Sequence, residues 1–289
     1  MKKIIFTLAA LIVATAATAA DITVLNTGSK TGSFSVEASA YATDLAKTHS
    51  VKLVSPGNHC AALAILKKTT APVMFPWSSD WEAAGRDGLD CATMAFKDAE
   101  VVRYNTSSMH VCAIDKKFTA TEFVKKGAEA KVGHSTPDYT FARVVHAVNK
   151  SFGTKHRPIT YRGSGDLKTA LINGEIAYGL FTAKWVKEIV ATGGQCHYVT
   201  NTAGNNGLPG LNSLDPTNRS LTISYDTVWL MINADKTLVE QIKADVMSAH
   251  ANKNSAINTA TNNTLNINWQ QSPDSIRSSW EQAVESLRK

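Results

Sequence analysis

Apolar positions recur along this chain with two alternating periods. Short apolar runs at residues 21–25, 51–54, 72–75 and 100–104 read as strands. Between the first two, Val36, Ala40 and Leu45 recur at helical spacing, which predicts a helix over 34–47 capped by Ser33 or Ser35. Pro56-Gly57-Asn58 is a turn, and a helix is expected over 60–67. Residues 81–95 look helical in part. Strand, helix, strand, helix, strand is the order of a parallel sheet with helices packed on it.

A second unit repeats that grammar without repeating the sequence. Strands are expected at 109–114, 130–133, 158–161, 176–181 and 196–200. Helices are expected at 139–149, 167–172 and 182–191. Residues 201–218 are rich in Gly, Asn and Pro and read as a long loop. Strand character returns over 222–232. The chain end is helical, and Ser272-Pro273-Asp274 starts a last helix that runs through Trp280 and Leu287.

The first twenty residues stand apart from this pattern. Lys2 and Lys3 precede an apolar run from Ile4 to Val13, and small residues end it at Ala-Thr-Ala-Ala. That is the layout of a secretory signal, with the mature chain beginning at Ala20 or Asp21. The run is too short to span a bilayer. Removing it leaves 28 basic against 24 acidic residues, a formal charge of +4. Lys and Arg do not cluster in one stretch, so nucleic acid is not an expected partner.

Export changes the meaning of the four cysteines. An even number in an oxidising compartment points to two disulfides. Three of them neighbour a histidine (His59-Cys60, His110-x-Cys112, Cys196-His197), which raises a metal alternative, but CxxC and tight His-pair spacings are absent. The preferred pairing is Cys60 with Cys91, closing a local loop, and Cys112 with Cys196, joining two strand-like segments.

Candidate chemistry lies at strand-to-helix junctions. In open parallel sheets, ligands sit beyond the carboxyl ends of strands. Here those ends carry small hydroxylic loops: Gly28-Ser29-Lys30-Thr31-Gly32-Ser33, Ser78-Ser79, Ser135-Thr136 and Gly163-Ser164-Gly165. A helix start offers unpaired N–H groups and partial positive charge, which suits a carboxylate or phosphate. Catalytic motifs do not develop. The GxxxxGK[ST] spacing is missing, and no GxSxG elbow exists. Lys30-Thr31-Gly32 has no upstream SxxK partner, since the one such motif is Ser286 to Lys289.

The segment from Tyr161 to Phe181, Tyr-Arg-Gly-Ser-Gly-Asp-Leu-Lys-Thr-Ala-Leu-Ile-Asn-Gly-Glu-Ile-Ala-Tyr-Gly-Leu-Phe, resembles a signature of the periplasmic receptors of tripartite tricarboxylate transporters, the Bug family. Thr160 stands for that family's Pro and Arg162 for its Lys. The loop before Phe34, the Gly133-to-Tyr139 run, Gly-Leu-Pro-Gly at 207–210 and the final Pro-started helix also fit its layout.

The resemblance implies an α/β, two-lobed periplasmic-binding-protein fold of type II, each lobe a central, mostly parallel sheet flanked by helices. Lobe one would comprise 21–109 plus 226–289, and lobe two 110–225. A small organic acid would lie in the cleft and draw the lobes together, without catalysis, cofactor or metal. Lobe one would offer Ser29, Lys30, Thr31, Gly32, Ser33 and Phe34, with Trp77 and Ser78. Lobe two would offer Ser135, Thr136, Tyr139, Tyr161, Gly163 and Ser164, with Phe181 and Thr182. The expected partners are the membrane subunits of such a transporter, and the receptor itself is expected to be monomeric. A rival reading is a receptor for another anion or an amino acid, with Asp80, Asp138 or Asp166 meeting the ammonium group. Another is a secreted metal-binding protein.

Overall fold

The computed structural model describes residues 19–30, 32–88, 91, 99–107, 109–135, 138–199, 210–214, 225–261, 266–267 and 273–288. The expected signal segment therefore lies outside the described residues up to position 18. Two sheets organise the rest. The first has strand order β11-β4-β10-β3-β1-β2, built from β1 (Asp21–Leu25), β2 (Ser50–Val54), β3 (Val73–Ser78), β4 (Glu100–Ser107), β10 (Tyr225–Ile232) and the two-residue β11 (Asn266–Ile267). The second has order β7-β6-β8-β5-β9, from β5 (Met109–Ala113), β6 (Lys131–Ser135), β7 (Arg157–Tyr161), β8 (Tyr178–Thr182) and β9 (Gln195–Tyr198).

In each sheet most strands share a direction, as expected, with β10 and the edge strand β11 reversed in the first and β5 reversed in the second. In the first sheet β1, β2, β3 and β4 run one way, while β10 lies antiparallel between β3 and β4. In the second, β6, β7, β8 and β9 share a direction and β5 opposes its neighbours β8 and β9.

Alternation along the strands explains the layers. On β10, Val228 and Leu230 enter one core while Trp229 and Met231 enter the other. On β5, Met109, Val111 and Ala113 face one core and Cys112 the opposite one. Successive side chains point to opposite faces, so a strand apolar at every position needs cover on both. Helices α2 (His59–Leu66), α3 (Ser79–Arg86) and α10 (Pro273–Arg288) supply residues to one face of the first sheet. The other face is covered by α1 (Ser33–Leu45), α8 (Lys236–Ala251) and α9 (Ala256–Thr261). On the second sheet, α4 (Ala120–Val124) and α5 (Asp138–Phe152) cover one face, and α6 (Ser164–Ile172) with α7 (Ala183–Ala191) the other.

Sequence reading missed the short helix α4, whose Thr119 cap accepts from the Glu122 amide. The partly helical character expected over 81–95 is met by α3, which ends at Arg86; most of 89–98 lies outside the described residues. The expected 201–218 loop lies mostly outside them too, apart from a short 3-10 turn at Leu211–Leu214. Both disulfides have the expected pairing, Cys60–Cys91 and Cys112–Cys196. The second spans directly opposed residues of β5 and β9, with Cα atoms 4.1 Å apart.

Candidate functional site

Strand register decides where the two halves meet. The chain leaves the first sheet at Ser107 and enters the second at Met109, two residues later. Ser107 is paired with Tyr225, and Ser78 with Thr227, so this is the carboxyl end of β3 and β4. Met109 is paired with Thr182, the carboxyl end of β8. Two residues span only about 7 Å. The carboxyl ends of both sheets are therefore brought together at the crossing, and the turns that follow β1, β3, β6, β7 and β8 emerge there.

In the first lobe, residues 26–28 form a turn built on buried polar groups. Asn26 accepts the Gly28 amide on its side-chain oxygen at 3.0 Å, an Asx turn, while its own amide donates to Val54 O. Thr27 donates its hydroxyl to Pro76 O of β3 at 2.6 Å. Asn26 and Thr27 are both fully buried. They were not among the expected site residues, though Asn-Thr-Gly after a strand is a legible turn signal. Above them Ser29, Gly32 and Ser33 are half-buried and Lys30 is exposed. Thr31 lies outside the described residues.

The end of β3 is fully buried. Trp77 and Ser78 are 0% exposed. The Trp77 indole donates to Glu82 at 3.2 Å, and its ring meets those of His59 and Trp81. The Ser78 hydroxyl donates to Asp80, whose same carboxylate oxygen accepts the Trp81 amide. The start of α3 thus already holds an anion, supplied by its own chain. Asp80 Oδ1 is thus already engaged within its own chain. Next to it, Ser79 Oγ accepts the Asp226 amide, and the Tyr104 hydroxyl donates to Asp226 at 2.7 Å. Burial and then the Asp226 charge push the Tyr104 phenol well above its usual range.

In the second lobe, Ser135 closes β6 half-buried, and Thr182 caps α7 half-buried. Gly163 caps α6 in an extended conformation, and Ser164, its first residue, is 9% exposed. Three other expected contacts turn inward. Phe181 is buried in the core, folded back over Gly179. The Tyr161 ring packs over Gly133, where a Cβ would meet it at 3.1 Å. Phe34 is buried edge-on against Trp81. Phe181 and Phe34 supply lobe cores, where their hydrophobic area is worth more than at a wet edge, while Tyr161 stays half-buried. Tyr139 lies in α5, and Thr136 lies outside the described residues. Asp166 is exposed in the first turn of α6.

The helix starts divide into two groups. Asn58, Thr119 and Asp235 cap α2, α4 and α8 through their side chains. Ser78 before α3 makes no side-chain capping bond, but Asp80 takes the Trp81 amide there. Gly32, Gly163 and Thr182, before α1, α6 and α7, also make none. All three of these starts follow strands whose carboxyl ends meet at the crossing.

No protein-family model matches the chain, and no curated protein is detectably similar in sequence. Solved structures are similar in fold. A TctC solute-binding protein from Polaromonas, solved without ligand, superposes with a TM-score of 0.62 at 16% identity, covering 93% of this chain and 96% of its own. MatC from Rhodopseudomonas palustris with bound malate gives 0.69 at 15% identity, over 93% and 97%. An R. palustris protein with adipate gives 0.64 at 12% identity, over 92% and 97%. The architecture of this chain is accordingly that of the two-lobed, TctC-like periplasmic solute-binding proteins.

Proposed function

We propose that this protein is an extracytoplasmic solute-binding receptor that captures a small organic carboxylate between its lobes. The observation that carries the reading is the convergence of three helix starts without side-chain caps, α1 from one lobe and α6 and α7 from the other. First-turn amides not occupied by a capping side chain remain available to a carboxylate, and charge-assisted bonds of this kind strengthen as closure excludes water. Ser29, Gly32 and Ser33 would hold one end of the ligand, and Ser135, Gly163, Ser164 and Thr182 the other. Lys30 is exposed at the mouth and adds positive charge. Two carboxylate-binding ends facing each other favour a di- or tricarboxylate. The malate and adipate of the fold neighbours are dicarboxylates, in keeping with that class. The receptor would work as a monomer in the periplasm and deliver its ligand to the membrane subunits of a tripartite tricarboxylate-type transporter. Binding would be capture by hinge closure, with no bond made or broken.

A thermal-shift screen of organic acids on ligand-stripped mature protein tests this. A ligand at 100 times its Kd adds about 2.7 kcal/mol of stability. Ser164→Trp places an indole over the start of α6 and is expected to abolish the shift while leaving the circular dichroism spectrum unchanged. A shift that survives this change removes α6 from the site. A broad acid screen without any shift rejects the ligand class.

A further inference from the structure

Two disulfides with very different surroundings hold this protein. Cys112 and Cys196 are 1% and 3% exposed between two strands. Cys60 is half-buried in the first turn of α2, and Cys91 is exposed. Beside this second pair stands His59, whose Nε2 lies 3.7 Å from Cys60 Sγ. The His59 ring is fixed by stacking on Trp81 at 4.7 Å and by an edge contact with Trp77. Ligand atoms of His59, Cys60 and Cys91 all fall within 4.8 Å of one another. A tetrahedral zinc ion with Zn–S near 2.3 Å and Zn–N near 2.0 Å requires an N···S edge of about 3.5 Å and an S···S edge of about 3.8 Å. The nitrogen already stands close to its edge distance. Only the S–S bond keeps the two sulfurs nearer than a metal needs.

We propose that the Cys60–Cys91 disulfide masks a metal site, which a dithiol opens and a thiophilic divalent cation of the zinc class then fills. A thiolate of the dithiol attacks the exposed Cys91 sulfur, and the S–S bond breaks to release Cys60 as thiolate. The second dithiol sulfur displaces Cys91 and closes the reductant's own disulfide. Two electrons pass from the dithiol to the cysteine pair. The cation then forms two M–S bonds and one M–N bond to His59 Nε2, and both thiol protons leave to solvent. The buried Cys112–Cys196 bond stays closed throughout, because an attacking thiolate cannot reach it.

Cobalt(II) reports such a site spectroscopically. The mature protein is treated with dithiothreitol, desalted without oxygen and titrated with cobalt. One equivalent is expected to bind with a thiolate-to-metal charge-transfer band. Mass spectrometry after alkylation is expected to show two labels. The oxidised protein and the Cys60→Ser/Cys91→Ser variant should give no band. His59→Gln should keep the band and lose affinity by on the order of ten-fold or more. A band equally strong in the oxidised protein or the double variant overturns the proposal. So does a reduced protein without a band, with four labels, or with its circular dichroism signal lost. Unchanged affinity in His59→Gln removes the histidine and leaves the three-ligand site refuted.

Discussion

At the scale of single residues, the most consequential group is a buried charge that sequence alone would place in solvent. Arg103 on β4 has a fully buried side chain and donates to Glu37 of α1 at 2.6 Å. The same carboxylate oxygen accepts the Trp229 indole at 3.0 Å, and the guanidinium lies over the Tyr41 ring. Burial drives the Tyr41 phenol well above its usual range. The pair pins α1, whose start opens on the candidate site, to the sheet beneath. Glu37→Ala leaves an uncompensated buried cation and is expected to cost about 3–5 kcal/mol in urea unfolding. Replacing both partners with Leu and Met should cost clearly less. Equal losses would show that packing, not charge, decides stability here. The residue scale is also where sequence shows least. Trp77, Ser78 and Phe181 have the right chemistry for a ligand wall, and their neighbours had no visible claim on them. Glu82, Asp80 and the lobe cores claim them only after folding.

At the scale of elements, periodicity was legible because it follows from backbone geometry. The strand at 21–25 and the start of α10 lie where alternation and the Pro signal put them, whereas α1 starts at Ser33 behind Gly32 and uses neither Ser33 nor Ser35 as a cap. The capless starts of α1, α6 and α7 could be seen as small-residue loops, but their contrast with α2, α4 and α8 could not. Close packing is equally hidden. Gly194, between α7 and β9, lets the end of the helix settle against β5. A Cβ there would lie 2.9 Å from Ile189 O and 3.0 Å from Ala113 O, both backbone atoms that cannot swing aside. Gly194→Ala is therefore expected to lower stability by about 1–3 kcal/mol, read from the denaturant midpoint. A neutral or stabilising change would mean that the αβ turn relaxes freely.

At the scale of the whole molecule, charge ties the lobes. Asp87, just past α3 of the first lobe, accepts from Arg143 of α5 in the second and from Arg288 of α10 at 2.7 Å. Beside it Arg86 binds Glu281 through two bonds. Burial pulls the Asp87 carboxyl upward, but the bonds from Arg288 and Arg143 outweigh it and hold it below its ordinary range. The folded state thus binds the proton less readily than the unfolded one. The stabilisation is complete above about pH 4 and lost as pH falls through the lower folded value. Asp87→Asn should lower the melting temperature at about pH 7, and by progressively less as the pH is taken down below about 4. Equal losses across that range would detach the effect from the carboxylate charge.

The sequence by itself determined the local grammar: which runs are strands, which are helices, which cysteines share a segment, and where small hydroxylic turns precede helices. Backbone sterics and hydrophobic periodicity act within a few residues, so they can be read there. Only the tertiary structure decided which of those turns face a neighbour and which are consumed by the core. That choice depends on contacts between residues tens to hundreds of positions apart. Asp87 with Arg143, and Ser79 with Asp226, are such contacts. Ser79 meets Asp226 because β10 pairs with β3, a register no local signal carries.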